Sequence, residues 1–245
     1  MRNFKVTLQY EGTRYQGWQK QESTDNTIQG KLEALLSKMA GTKVEIQGSG
    51  RTDAGVHAAG QVANFHLDTE KSPLQIMEYM NFYLPEDIAV ISIEEVPERF
   101  HSRLNAKGKT YLYRVINSSV PHIFDRRYAW TVEEELDVTA MREAAALMEG
   151  THDYKAFTSL KKSKKSTVRT VDRILIEEVE EEIRFTFSGD GFLYHMVRIM
   201  MGTLIEVGIH KKKPEEITGI FEKGLRENAG ELVPAKGLTL LEVRY

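Results

Sequence analysis

The sequence predicts an α+β protein made of two similar halves. Stretches in which apolar and polar residues alternate are typical of half-buried strands, and stretches with apolar residues three or four apart are typical of helices. Both kinds are interleaved along all 245 residues, which argues against all-helical and all-β folds. The same order of patterns begins again near residue 105, without a repeat of residue identities. We therefore predict β-α-β-β-like halves at residues 1–105 and 106–245.

The first half opens with a strand over residues 4–10, in which every second residue is apolar. A helix is predicted after Thr27, because apolar residues recur on one helical face and Gly41 stands where the helix would end. The apolar residues of that face are Ile28, Leu32, Leu35, Leu36 and Met39. Pro73 is predicted to open a second helix that runs through Met80. The other strands are predicted at residues 44–46, 61–65 and 88–93.

The second half uses the same patterns, beginning with a predicted strand over residues 109–116. Residues 189–191 (GDG) turn the chain into an apolar helix over about residues 193–207. Pro214 is predicted to open the last helix. Another helix carries Met141, Ala144, Ala145 and Met148 on one face. The remaining strands are predicted at residues 173–176, 183–187 and 238–245.

Composition narrows the possible classes of protein. The chain contains no cysteine, which excludes disulfides, thiolate catalysis, iron–sulfur clusters and the common structural zinc sites. It has no run of 18 apolar residues and no continuous apolar segment near its N-terminus, so we expect a cytoplasmic protein that does not enter a membrane. A net charge of −3 gives no overall signal for nucleic-acid binding.

Charge is nevertheless segregated in one region. Six basic residues occur there with a single acidic residue, Asp172, and a run of glutamates follows at residues 177–182. The region is either a solvated loop before an exposed strand edge or an arm that binds RNA phosphates. The basic residues are Lys161, Lys162, Lys164, Lys165, Arg169 and Arg173.

A glycine-rich stretch at residues 48–57 (GSGRTDAGVH) is the most distinctive local feature. It is not a Walker phosphate loop, because no Lys follows Gly55, and it is not a dinucleotide fingerprint, because Asp53 stands where the third glycine is required. In an extended chain, Arg51 and Asp53 point to the same side. Arg51 could bind a phosphate or fill the space left by a displaced base, and Asp53 could be a nucleophile or a base. The alternative is an ordinary turn capped by the aspartate.

Residues 50–58 (GRTDAGVHA), followed by residues 61–65 (QVANF), resemble the signature of the tRNA pseudouridine synthase A family. Further similar segments occur in the family's order and cover essentially the whole chain. They are residues 10–19 (YEGTRYQGWQ), 27–30 (TIQG), 100–103 (FHSR), 109–114 (KTYLYR), 192–198 (FLYHMVR) and 234–238 (PAKGL).

The resemblance implies a pseudouridine synthase fold, with two ferredoxin-like (RRM-like) halves that share a central, mostly antiparallel sheet and have a cleft between them. It implies an isomerase that converts uridine to pseudouridine at positions 38, 39 and 40 in the anticodon arm of tRNA. It also implies a homodimer that requires neither an organic cofactor nor a metal ion.

Roles for single residues are implied as well. Asp53 matches the family's catalytic aspartate, which must be ionised to act as a nucleophile. Arg198 matches an arginine beside the pocket, whose charge favours the ionised carboxylate. Tyr111 matches the active-site tyrosine, whose ring can stack on the target base and whose hydroxyl can transfer a proton. Arg51 matches the arginine linked to base flipping. His57 is expected to be either structural or in contact with RNA.

Some questions stay open at the level of sequence. Tyr113 could replace Tyr111 as the ring at the cleft, and Asp53 could attack either the ribose or the base ring. A charge inside an apolar helix needs a partner, so we expect one for Arg198. No histidine spacing typical of a metal site occurs, so no metal site is predicted.

Two other functions compete with this interpretation. A catalytically silent RNA-binding module could use the same halves, but Asp53, Tyr111 and Arg198 are all present. A phosphotransferase or hydrolase with an aspartyl nucleophile would need a metal ion and further carboxylates beside Asp53. The residues that flank Asp53 supply none.

Overall fold

The computed structural model describes residues 1–160 and 166–245. The chain divides into two units, of which the first contains Met1–Lys107 and Thr239–Tyr245 and the second contains Gly108–Leu238. The described residues form ten strands and five α-helices, and most strand pairs are antiparallel. The predicted α+β class and its mostly antiparallel pairing are therefore confirmed.

The first unit has the β-α-β-β-α-β order of a ferredoxin-like fold. Within it the strands lie in the order β4-β1-β3-β2, and all three of these pairs are antiparallel. Its elements are β1 (Arg2–Tyr10), α1 (Ile28–Ala40), β2 (Ile46–Gly48), β3 (His57–Leu67), α2 (Pro73–Tyr83) and β4 (Ile88–Val96).

Local sequence explains where both helices of this unit begin and where α1 ends. The Gly30 N–H donates to Oγ1 of Thr27, which caps α1, and Gly41 ends that helix in the left-handed conformation with a φ of 68°. Ser72 and Gln75 form a capping box at the start of α2. Such caps satisfy backbone groups that a helix leaves without partners, so both helices start where the sequence predicts.

The second unit contains an antiparallel sheet in the order β5-β9-β8-β7, and β6 pairs with β5 in parallel. Helix α4 is buried along almost its whole length, which accounts for its apolar sequence. The elements are β5 (Gly108–Asn117), β6 (Trp130–Val132), α3 (Val138–Met148), β7 (Gly150–Asp153), β8 (Val168–Val179), β9 (Glu182–Gly189), α4 (Met196–Gly208) and α5 (Glu216–Lys223).

Helix α4 begins later than predicted, at Met196 instead of about residue 193. His195 precedes it in the left-handed conformation, with a φ of 65°. A helix cannot run through such a residue, because its backbone turns in the opposite sense. The apolar pattern continues upstream of the helix, so periodicity alone places the start too early.

The last strand, β10 (Leu238–Arg244), returns to the first unit. It pairs in parallel with β3, where Thr239 lies opposite His57 and Leu240 lies opposite Ala58. From the sequence we assigned all of residues 106–245 to the second half.

The short strands β6 and β7 were not predicted from the sequence, because three or four residues do not establish a period of two.

None of the helices within residues 1–160 and 166–245 combines the length and apolar character needed to cross a membrane.

Candidate active site

The loop between β2 and β3 carries Asp53 and leaves the sheet at a closely packed point. At Gly48, a Cβ atom would lie 2.5 Å from the indole ring of Trp18, so only glycine fits there. The next residue, Ser49, donates its N–H to the Val62 carbonyl over 2.8 Å. The start of the loop is thus fixed to the neighbouring strand.

Thr52 points into the protein and anchors the middle of the loop. Its hydroxyl lies 2.8 Å from the phenol oxygen of Tyr10, and its carbonyl accepts the Trp18 N–H over 3.0 Å. Arg51 and Asp53 flank this buried residue; Arg51 is exposed and Asp53 is half-buried. Alternation about Thr52 therefore presents both predicted functional residues away from the interior, as an extended segment requires.

A tight turn follows Asp53 and brings the chain into β3. The Val56 N–H donates to the Asp53 carbonyl over 3.1 Å, and Gly55 adopts a φ of 80° and donates its N–H to the Tyr15 carbonyl. Opposite this turn, a Cβ atom on Gly12 would lie 2.0 Å from the Val56 carbonyl oxygen. Glycines on both sides let two backbone segments approach each other and support the turn.

His57 is buried, with 3% of its surface exposed, and its Nδ1 accepts the Gly12 N–H over 3.0 Å. This bond places the ring proton on Nε2. Of the two roles expected for His57, this position supports the structural one.

In the second unit, Tyr111 and Tyr113 lie on the same side of β5. The Tyr113 ring is fully buried, and its hydroxyl donates to the Pro234 carbonyl over 2.7 Å. Burial raises the pKa of the Tyr113 phenol far above its usual value, although the nearby charge of Arg198 acts in the opposite direction. Tyr111 is buried, with 8% of its surface exposed, and stands edge-on to Phe192, with ring centres 5.3 Å apart. The structure thus ties the Tyr113 hydroxyl to the core.

Arg198 lies in the first turn of α4 and is half-buried. Its Nε–H donates to the Val233 carbonyl over 2.8 Å, which fixes the direction of the guanidinium group. The turn before the helix is held by His195, whose Nδ1 lies 2.8 Å from the Ser159 hydroxyl. Arg198 is therefore presented by a rigid helix end.

The predicted RNA-binding lysines Lys161, Lys162, Lys164 and Lys165 lie outside the described residues. The chain just before them contacts the segment that precedes α4, where the Thr158 hydroxyl donates to the Tyr194 carbonyl over 2.8 Å. Within residues 1–160 and 166–245, no group of three His, Asp or Glu residues has the arrangement needed to hold a metal ion.

Sequence reasoning missed the residues that pack behind the loop that carries Asp53. Tyr10 and Gln61 lie in the segments that carry the family resemblance, but both read as ordinary strand residues. Both are buried, and both reach the loop that carries Asp53. Gln61, a polar residue within the predicted strand, was the available signal, since a buried amide requires hydrogen-bond partners.

Comparison with known proteins finds the family that the sequence resembles. The profile of a family described as tRNA pseudouridine synthase matches residues 7–105 and 144–245. The chain is 49% identical to tRNA pseudouridine synthase A of Bacillus sp. (strain KSM-64) over 245 residues, which is all of both proteins. It is 45% identical to tRNA pseudouridine synthase A 1 of Clostridium tetani and 44% identical to tRNA pseudouridine synthase A 2 of Bacillus cereus (strain ZK / E33L), again over the full length of each.

The chain belongs to the tRNA pseudouridine synthase family. It is therefore an isomerase that converts uridine in tRNA to pseudouridine. The sequence left two rival functions open, a silent RNA-binding module and a phosphotransferase or hydrolase. Both are excluded, because the protein is an isomerase.

Proposed function

We propose that this pseudouridine synthase uses Asp53 as its nucleophile and acts on uridines 38, 39 and 40 in the anticodon arm of tRNA. The observation that carries the proposal is the loop itself. Buried Thr52 and the turn at Gly55 lock the backbone on both sides of Asp53, while the Asp53 side chain stays half-exposed. A nucleophile held in this way loses little freedom when it attacks, which lowers the entropic part of the barrier.

The reaction is an isomerisation, so the atoms of the uridine are conserved. The bond between N1 of the base and C1′ of the ribose breaks, a bond between C5 and C1′ forms, and one proton moves from C5 to N1. Asp53 would form a covalent bond to the ribose or to the base ring while the uracil turns. Both modes of attack need the base outside the helical stack.

Other residues take supporting roles in this proposal. Arg51 is exposed and makes no hydrogen bond or ion pair within the described part of the chain, as suits a side chain that occupies the space of a flipped base. Tyr111 would stack on the uracil and transfer a proton, and Arg198 would favour the ionised form of the nucleophile. The family resemblance carries these roles and the homodimer, whereas the cytoplasmic location is the expectation drawn from composition.

The lysine run supplies the proposed affinity for the anticodon stem-loop. Contacts with phosphates position an RNA without reading its sequence. Lys161, Lys162, Lys164 and Lys165 would therefore hold the tRNA, while Asp53 and its neighbours act on one base.

The replacement Asp53→Asn tests the proposed nucleophile. The amide keeps the size of the carboxylate but is a far weaker nucleophile, so we expect turnover of undermodified tRNA to fall by at least about 1,000-fold. Affinity for tRNA should stay within about twofold of the parent value, because many phosphate contacts hold the RNA. Pseudouridine mapping and filter binding measure the two quantities.

The matched control is Asp68→Asn, the same change at an exposed residue just beyond β3. It should leave turnover unchanged. If the Asp53→Asn variant keeps turnover within about tenfold of the parent, Asp53 is not the nucleophile. Transcripts with a single uridine at position 38, 39 or 40 test the site preference. Pseudouridine that forms only outside the anticodon arm would contradict it.

A further inference from the structure

A row of buried polar side chains lies behind the loop that carries Asp53. The Ser49 hydroxyl donates to the Gln61 side-chain carbonyl over 2.8 Å. The Gln61 amide donates to the Gly50 carbonyl over 3.1 Å and to the Tyr10 phenol over 3.3 Å. The phenol in turn lies 2.8 Å from Oγ1 of Thr52. These four side chains are all buried, and the row ends one residue before Asp53.

The direction of these hydrogen bonds follows from the chemistry of the groups. The Gly50 carbonyl can only accept, so the amino group of Gln61 faces it and the Gln61 carbonyl faces Ser49. Gln61 therefore donates to the phenol of Tyr10, and the phenol forms its second hydrogen bond with the Thr52 hydroxyl, in which either oxygen can be the donor. Burial raises the pKa of Tyr10 to about 12, so the phenol stays protonated throughout the neutral range.

Thr52 is held at a second point, through its backbone. The Trp18 N–H donates to its carbonyl over 3.0 Å, and Gly17 adopts a φ of 87° to let the two segments approach. A Cβ atom on Gly17 would lie 2.7 Å from the Thr52 carbonyl oxygen. With both its side chain and its carbonyl fixed, Thr52 determines where the next residue, Asp53, is presented.

We propose that Tyr10 is a positioning residue whose phenol, oriented by Gln61, holds Thr52 and thereby places the Asp53 carboxylate for attack on the uridine. The inference rests on the proposed role of Asp53. Loss of the phenol would leave the Thr52 hydroxyl buried without this partner, so the loop is expected to shift. A displacement of about 1 Å at a reacting group can lower a rate by about 100-fold.

The first test is Tyr10→Phe, measured under single-turnover conditions with enzyme in excess over undermodified tRNA. We expect the rate to fall by about tenfold to 100-fold, while the dissociation constant for tRNA stays within about twofold. The rate should fall equally throughout the neutral pH range, because the Tyr10 phenol, with a pKa of about 12, stays protonated there.

The matched control is Tyr154→Phe. Tyr154 is also fully buried, and its hydroxyl lies within hydrogen-bonding distance of the Met148 and Gly150 carbonyls, in the second unit. Both variants lose a buried phenol hydroxyl and should lose similar stability, but Tyr154→Phe should keep the parent rate. This comparison separates positioning from general destabilisation.

Two changes at Thr52 repeat the test from the other end of the hydrogen bond. Thr52→Val removes the hydroxyl at constant shape and should lower the rate as Tyr10→Phe does, whereas Thr52→Ser keeps the hydroxyl and should restore most of it. The Tyr10→Phe/Thr52→Val double variant should be no slower than the slower single variant, because both changes break the same contact. If Tyr10→Phe fails to fold, the Val and Ser pair still decides the question.

An unchanged rate in Tyr10→Phe, an equal fall in Tyr154→Phe or fully additive losses in the double variant would overturn the positioning role. A changed shape of the pH profile would make the phenol a proton donor in the reaction and would overturn it as well. Asp53→Asn separates this result from the proposed function. If that variant is inactive and Tyr10→Phe is fully active, the positioning role alone fails.

Discussion

Glu182 is a half-buried carboxylate in the second unit that accepts hydrogen bonds from two arginines. Its oxygens accept two hydrogen bonds from Arg114, over 2.7 and 2.8 Å, and one from Arg184 over 2.8 Å. These bonds hold the pKa of Glu182 at about 2, below the ordinary value of 4.5. Its side chain is only 13% exposed, so solvent screens the interaction weakly. The cluster therefore stabilises the second unit whenever Glu182 is ionised.

Replacement of Glu182 by Gln should cost stability in a pH-dependent way. A lowered pKa in the folded state stabilises above the unfolded pKa of about 4.5, and that stabilisation is lost as pH falls from there towards about 2. We expect Glu182→Gln to lower the free energy of unfolding by about 2 kcal/mol at pH 7 and by much less at pH 2.5. Urea unfolding at both pH values measures the difference.

Glu94→Gln is the control for this pH dependence. Glu94 pairs with Lys5 over 2.9 Å, but its side chain is 62% exposed, and such pairs contribute less than about 1 kcal/mol. Equal losses for Glu182→Gln at the two pH values would show that shape and packing, not charge, make Glu182 stabilising.

Gly202 in α4 and Gly219 in α5 have opposite surroundings. A Cβ atom on Gly202 of α4 would lie 1.9 Å from the Glu231 carbonyl oxygen, whereas one on Gly219 of α5 would meet nothing within 4 Å. Thr203 adds a hydrogen bond at the same place, because its hydroxyl accepts the Gly230 N–H over 2.8 Å. Gly202 thus lets α4 pack directly on the segment whose Val233 carbonyl orients Arg198.

The two glycine-to-alanine changes should therefore have opposite effects. Gly202→Ala is expected to lower the free energy of unfolding by about 2 kcal/mol or more, since backbone atoms must move apart. Gly219→Ala should raise it by about 0.5–1 kcal/mol, because alanine loses less backbone entropy in a helix. Thermal and urea unfolding of both variants test this. Destabilisation by Gly219→Ala would mean that α5 has a neighbour at that face.

Overall charge gives this protein little attraction for RNA, since its net charge is −3. Binding to tRNA therefore depends on where the positive charges lie. The lysine run places four positive charges within five residues, and each phosphate that a lysine neutralises releases counterions. The dependence of affinity on salt concentration reports how many such contacts form.

Replacement of Lys161 and Lys162 by Gln should weaken tRNA binding and reduce the slope of log K against log salt concentration by about 0.7–0.9 for each lost contact. The control is Lys211→Gln/Lys213→Gln, which removes the same charge from two exposed lysines after α4. Filter binding at about 50 to 200 mM salt, a range that includes physiological ionic strength, measures the slope for each variant. Equal slopes for both variants would show that the lysine run makes no special contribution to RNA binding.

Features encoded by neighbouring residues could be read from the sequence. Apolar spacing predicted α1 and β1, and Thr27 and Gly41 marked the ends of α1 because capping depends on a few adjacent residues. Residues 50–58 predicted the family, because the signature that they resemble consists of adjacent residues.

Features that depend on distant segments required the folded chain. Spacing could not show that β10 pairs with β3, nor which of Tyr111 and Tyr113 has its hydroxyl tied to the core by the Pro234 carbonyl. The same is true of the contact between Tyr10 and Thr52, which lie 42 residues apart. A strand or a buried hydroxyl finds its partner through the packing of the whole unit, so tertiary structure decides such contacts.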